Sequence, residues 1–196
     1  MDVDFNYSVG QLVNGYVYRM DNEWVWETIS RHVKAQAFVL DSSREPDELL
    51  NFQKRFMVGS TISGYVLSMN RGKKSLRLVP RPFSAFANGA VAEPGKSSNA
   101  SDERGVSHIH KGDVLGGRVW KILASVGGIL VQIGPHIYGK VHYTELTDCW
   151  VSDPLSGYHE GQFVKCKVLE INHSEKGTVH VDLSLRTTSE GTGSGG

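Results

Sequence analysis

The sequence predicts an all-β protein: two five-stranded barrels joined by a flexible linker, with a short helix between strands three and four of each. Three observations predict it. One pattern recurs four times: Gly, two residues, an aliphatic, one residue, Gly or Cys, one residue, Val. It reads GQLVNGYV from Gly10, GSTISGYV from Gly59, GDVLGGRV from Gly112 and GQFVKCKV from Gly161. The first and second copies are 49 residues apart, as are the third and fourth, so the chain repeats one unit twice. Within each unit the hydrophobic period is two rather than 3.6, the signature of strands. Between the units, Ser84–Ser107 is small, polar and aperiodic, which is linker composition.

The units are placed at 8–84 and 108–188, the linker at 85–107 and a low-complexity, disordered tail at 189–196. Unit one is expected to form strands over 11–20, 23–29, 33–40, 60–70 and 74–79. Unit two is expected to form them over 113–123, 128–134, 137–143, 162–172 and 178–185. Pro135 with Gly134 marks a tight turn, and Gly177 suits the positive φ of the last hairpin loop. In unit one, Leu49, Leu50, Phe52 and Phe56 fall at helical spacing after Pro46, so a short helix starts there. Five strands, a small helix and about 75 residues per unit describe an oligonucleotide-binding (OB) barrel. Gly15 and Gly117 fit a first strand that bends to serve both halves of the barrel.

Composition narrows the function. Of 196 residues, 21 are Lys or Arg and 21 are Asp or Glu, which argues against coating duplex DNA by charge alone. A reader of single strands stays open, because stacking carries part of that affinity. The two cysteines, Cys149 and Cys166, have no metal-ligand spacing and read as free thiols of a reducing compartment. No apolar run reaches the roughly 20 residues of a membrane helix, and the acidic N-terminus lacks signal-peptide order. The expectation is a soluble intracellular protein, or a piece of one.

In such barrels the face of strands two and three binds ligand. Alternation turns Ile129, Val131, Ile133, Val141 and Tyr143 of unit two inward, and Leu130, Gln132, Tyr138, Lys140 and His142 outward. In unit one Val25, Ile29, Val33, Ala35, Ala37 and Val39 go in; Trp24, Trp26, Thr28, Lys34, Gln36 and Phe38 come out. Glu27 has the inward parity, which suggests either a carboxylate at the barrel rim or a local bulge. Aromatics beside cations suit single-stranded nucleic acid, with bases on rings and lysines on phosphates. The competing explanation is that Trp24 and Trp26 pack on a partner protein or the other unit. For His142 it is a surface histidine without a special role.

Enzymatic readings find less support. No Ser, His and acid set has a nucleophile-elbow context. His108 and His110 lack a third ligand of known spacing, so no metal is expected. The glycines of GDVLGG open a strand rather than a helix, so they make no phosphate loop. Asp47 and Glu48 read as solvated. No catalytic residue and no cofactor is expected.

At GKVHYTELTD, Gly139–Asp148, the sequence resembles the S1 domain, an OB-type RNA-binding family. The resemblance rests on Gly139, Val141 and His142, then Thr144–Glu145–Leu146, Gly161 with Val164, and Leu183–Ser184–Leu185. It implies that His142 is the family's exposed histidine and Leu130 its second exposed aromatic position. The first falls near Val126 or Gly127 and is absent. The acid before the last hairpin becomes Asn172, and the basic residue after it falls near His180. In unit one the histidine position is Phe38 and the second aromatic is Trp26, with Trp24 beside it. The last hairpin of unit one keeps Arg71, Lys73 and Lys74, and Arg77 follows.

The pair further resembles the later repeats of a family of long nucleolar ribosomal-RNA-processing factors, in wording that looks plant-like. The resemblance implies single-stranded precursor rRNA and other ribosome assembly proteins as partners, a nucleolar or nuclear location, and no membrane. The alternative is a protein-interaction or spacer repeat with little RNA affinity.

Overall fold

The computed structural model describes residues 5–82, 109–149 and 151–186. The expected linker 85–107 and tail 189–196 lie outside the described residues, as does His108. The chain divides into two compact units, each built round one barrel. The first holds β1 (Leu12–Met20), β2 (Trp24–Thr28), β3 (Lys34–Phe38), β4 (Thr61–Asn70) and β5 (Ser75–Val79). The second holds β6 (Val114–Leu123), β7 (Gly128–Gly134), β8 (Ile137–His142), β9 (Phe163–His173) and β10 (Val179–Ser184). Each sheet closes on itself, in the orders β1-β2-β3-β5-β4 and β10-β8-β7-β6-β9. Pairing is antiparallel except between β3 and β5 and between β8 and β10. This is the two-barrel architecture that the sequence predicts.

The fourfold repeat has a local cause. Gly10, Gly59, Gly112 and Gly161 have φ of 87°, 91°, 90° and 88°, a region that penalises any side chain. Each glycine opens one strand of an antiparallel pair and donates its N–H to the other strand. The acceptors are the carbonyls of Val66, Val17, Val168 and Val119, at 2.7–2.8 Å. The motif is therefore written at both ends of the β1–β4 pairing and again at both ends of β6–β9.

The cores follow the alternation. Val33, Ala35, Val66, Leu76 and Leu78 fill barrel one. Ile129, Val131, Ile133, Val141, Val164, Val168 and Leu183 fill barrel two. Burial raises the thiol of Cys166 to about 12, so that sulfur serves as packing.

The helical segments differ between the units. In unit one two single-turn helices, α1 (Pro46–Leu50) and α2 (Phe52–Arg55), break at Asn51; Leu49 and Phe52 are buried while Leu50 is exposed. In unit two the expected helix shrinks to a 3-10 turn, Tyr143–Glu145, and among the described residues no α-helix follows it. Asp153–Pro154 and Ser156–Gly157 favour turns there over continued helix. Tyr158 secures this stretch, donating its hydroxyl to the Leu146 carbonyl at 2.7 Å. Tyr158→Phe should cost about 0.5–1.5 kcal/mol in chemical denaturation, with m unchanged.

Three side chains depart from the expected facing. Tyr143 is 50% exposed, not inward, because β8 ends at His142 and the alternation lapses in the turn that follows. Phe38 is 2% exposed, not outward, since it is the last residue of β3, where the chain enters the 3-10 segment Val39–Ser42. Gln132 is 5% exposed although its parity is outward. It lies in register with Tyr138, and its amide reaches the Pro135 carbonyl at 3.5 Å.

Candidate nucleic-acid interface

In barrel one, β1, β2 and β3 lie side by side, and their outer residues form rows. Arg19, Trp26 and Gln36 make one row; Tyr16, Thr28 and Lys34 make another; Trp24 and Phe38 pair at the end. The Arg19 guanidinium sits over the Trp26 ring, 4.2 Å from its centroid. Lys34 is held in place: its Nζ donates to Thr28 Oγ1 at 3.0 Å and lies 4.8 Å from the Tyr18 ring centroid. Cations thus lie directly against aromatic faces.

Trp24 is more enclosed. Phe38 meets it edge to face with centroids 4.9 Å apart, and the Arg77 guanidinium lies 5.8 Å from its ring. Phe38 therefore supports Trp24 from within rather than presenting a ring of its own. Arg77 is buried and ion-paired to Asp41 at 3.2 Å, so its charge is spent inside the fold. In the β4–β5 hairpin Lys73 is exposed, and Lys74 takes a left-handed φ of 49°.

In barrel two the corresponding face carries Lys121, Leu130 and Lys140 in one row, with Gly128 and His142 in register further along. Lys140, His142 and His180 are exposed; Leu130 and Tyr138 are half-buried. His180 is on β10, opposite Asn172. Asp182 lies in register beside Lys140, yet among the described residues no ion pair joins them. His142 Nδ1 accepts from the Thr144 N–H at 3.4 Å and lies 2.9 Å from Thr144 Oγ1.

The segment after His142 is a latch. Ser184 Oγ donates to Glu145 Oε2 at 2.7 Å, and the Leu185 N–H donates to the Glu145 carbonyl at 2.8 Å. The Thr-Glu-Leu turn and the Leu-Ser-Leu end are thereby one structural device, which stops β8 abruptly and leaves His142 exposed.

The family model for the S1 RNA binding domain matches residues 108–181. Unit two is thus similar to that family over nearly its whole length. The chain is also 51% identical, over 96% of its length, to the rRNA biogenesis protein RRP5 of Arabidopsis thaliana. It is 34% identical to the small ribosomal subunit protein bS1 homolog of Bacillus subtilis over 42% of its length. The chain spans about a tenth of the plant relative and a fifth of the bacterial one. Among solved structures, the a/eIF2alpha–aDim2p–rRNA complex of Pyrococcus horikoshii has a chain 29% identical, with a TM-score of 0.34, covering 39% of this chain and 44% of that one.

Several residues on this face of unit two and on its counterpart in unit one lie outside the sequence-based candidates. Tyr16, Tyr18 and Trp120 are exposed on the first strand of each barrel, and Arg19 caps Trp26. Alternation from Val119 already turns Trp120 outward; a search confined to the second and third strands passes over it.

Proposed function

We propose that this chain is a single-stranded RNA-binding tandem module of a larger pre-rRNA processing and ribosome assembly factor. The observation that carries the proposal is the contact of aromatic rings with cations on the outer face of β1–β3, matched on β6–β8 by exposed lysines beside Trp120 and Tyr138. Similarity to RRP5 along nearly the whole chain supports precursor rRNA as the target. Other ribosome assembly proteins are the proposed protein partners and the nucleolus the proposed location. No catalytic role is assigned to any residue. Among the described residues no helix is long and apolar enough to cross a membrane.

The proposed contacts are Trp24, Trp26 and Lys34, with Lys73 and Lys74 at the hairpin, in unit one. In unit two they are Leu130, Tyr138, Lys140, His142 and His180. Phe38 acts through Trp24. The units are proposed at 8–84 and 108–188, joined flexibly through 85–107. Titration with single-stranded RNA, followed by backbone amide shifts, tests this. Shifts should cluster on β2–β3 and β7–β8 and leave the cores unmoved. Shifts absent at micromolar RNA would leave the second reading, a protein-interaction or spacer repeat. The enclosure of Trp24 by Phe38 and Arg77 favours that reading locally.

Salt should weaken binding only modestly. Unit one holds eleven Lys and Arg against seven Asp and Glu over 8–84, and unit two eight against eight over 108–188. Two to four phosphate contacts would give a slope of log K on log salt of roughly −1.5 to −3. Removing Lys34, Lys73, Lys74 or Lys140 singly should flatten it by about 0.7. A slope steeper than about −5 would require an extended basic track that this surface lacks.

A further inference from the structure

We propose that Trp120 and Tyr138 form a second base-stacking station on barrel two, at the opposite end of the β8 face from His142, and that single-stranded RNA runs between the two. The proposal rests on the RNA-binding reading above and extends it to a strand and a residue that the S1 resemblance does not assign.

Four observations carry it. Trp120 is 51% exposed on β6, and its ring lies against that of Tyr138 with centroids 4.4 Å apart and planes tilted by 38°. An isolated tryptophan on a sheet is free to rotate, whereas one leaning on a second ring is preorganised to receive a flat ligand. Between them on β7 lies Gln132, in register with Tyr138 and buried despite its outward parity.

Trp120 sits at a bulge. The β6–β7 register shifts between Val119 and Lys121, leaving Trp120 as the extra residue. The first barrel repeats the arrangement: the β1–β2 register shifts between Val17 and Arg19, and the extra residue is Tyr18, 44% exposed. Bulges re-aim side chains beside functional surfaces. Here both barrels place an outward aromatic at the bulge and bring the next residue, the cation Arg19 or Lys121, onto the same face.

Charge selects the ligand. Between the two ends of the face runs the row Lys121, Leu130 and Lys140, with both lysines exposed. Among the described residues neither lysine is in an ion pair. At the far end His142 leans on Tyr143, ring centroids 4.5 Å apart. At about 3.3 Å rise per residue, Tyr138 and His142 lie about 13 Å apart along β8. Ring pairs at both ends of a lysine row match a polymer whose flat bases alternate with anionic links. An apolar protein segment would leave the lysines unanswered.

The test uses the whole chain and an unstructured oligouridine of about eight nucleotides, within the site size of one OB barrel. Trp120→Ala should weaken binding about 5- to 150-fold, while Trp120→Phe retains most of the affinity. In the unsubstituted chain the ring-proton resonances of Trp120 and Tyr138 should shift on adding the RNA. If the chain binds the RNA while Trp120→Ala, folded by its amide spectrum, binds equally well and the rings stay unshifted, the station does not exist although the broader reading survives. If the unsubstituted chain does not bind, both readings fall. If the rings ignore RNA and Trp120→Ala instead abolishes self-association in sedimentation, the patch is a protein contact and the proposal is overturned.

Discussion

Glu27→Gln is expected to stabilise barrel one by about 3 kcal/mol at pH 8 and to change little at pH 4.5. Glu27 is fully buried on β2, and neither carboxylate oxygen has a hydrogen-bond partner among the described residues. Its register neighbours are Val17 and Ala35, neither of which offers a charge. Gly15 makes the space: a Cβ there would lie 2.9 Å from Glu27 Oε1 and 2.7 Å from Ile29 Cδ1. Burial without a counter-charge raises the carboxyl from 4.5 to about 7. The sign follows from proton counts. Between about 4.5 and 7 the folded chain holds a proton that the unfolded chain has released, so stability falls as pH rises and levels off above the folded value. Glutamine has no proton to lose. Subtracting the native profile from that of Glu27→Gln in urea denaturation should therefore give a difference that grows across this window. A difference independent of pH would show that the carboxylate finds a partner when it ionises.

Trp26→Ala should weaken single-stranded RNA binding by about 1–3 kcal/mol if one base stacks on that ring. The site is composite, because Arg19 already covers Trp26 at 4.2 Å. A base can continue the stack on the planar guanidinium, or displace it and take the ring. Arg19→Lys separates these routes: an ammonium keeps the charge but offers no plane, so affinity drops only if the base rests on arginine. Fluorescence anisotropy with labelled RNA measures both variants. Unchanged affinity in a folded Trp26→Ala chain would sink the stacking assignment and favour a protein contact for this face.

The barrels were legible because strand alternation and the glycine repeat are local signals, and each survives in the register of the sheet. Glu27 was legible too: its parity pointed inward, and inward it lies. Two of the three misread side chains share a cause. Phe38 and Tyr143 sit where a strand gives way to a 3-10 turn, and a period of two carries no information past that point. The contrast between the short helices of unit one and the single turn of unit two rests on turn chemistry around Pro154 and Gly157, which periodicity does not register. The rows joining Arg19 to Trp26 and Trp120 to Tyr138 depend on which residues face each other across strands. A single strand's pattern does not contain that pairing.

The parallel closure of each barrel sets a constraint on synthesis. Lys34 of β3 pairs with Ser75 of β5, and until β5 emerges from the ribosome both β3 and β4 have an open edge. At about 5–20 residues per second, the 41 residues from Ala35 through Ser75 take about 2–8 s to be made. During that interval the nascent edges are templates for mispairing, and the segment from Gly112 carries the same glycine pattern as the segment from Gly10. The polar stretch between the units therefore does more than connect. It delays arrival of the next look-alike strand until the previous barrel has had time to close.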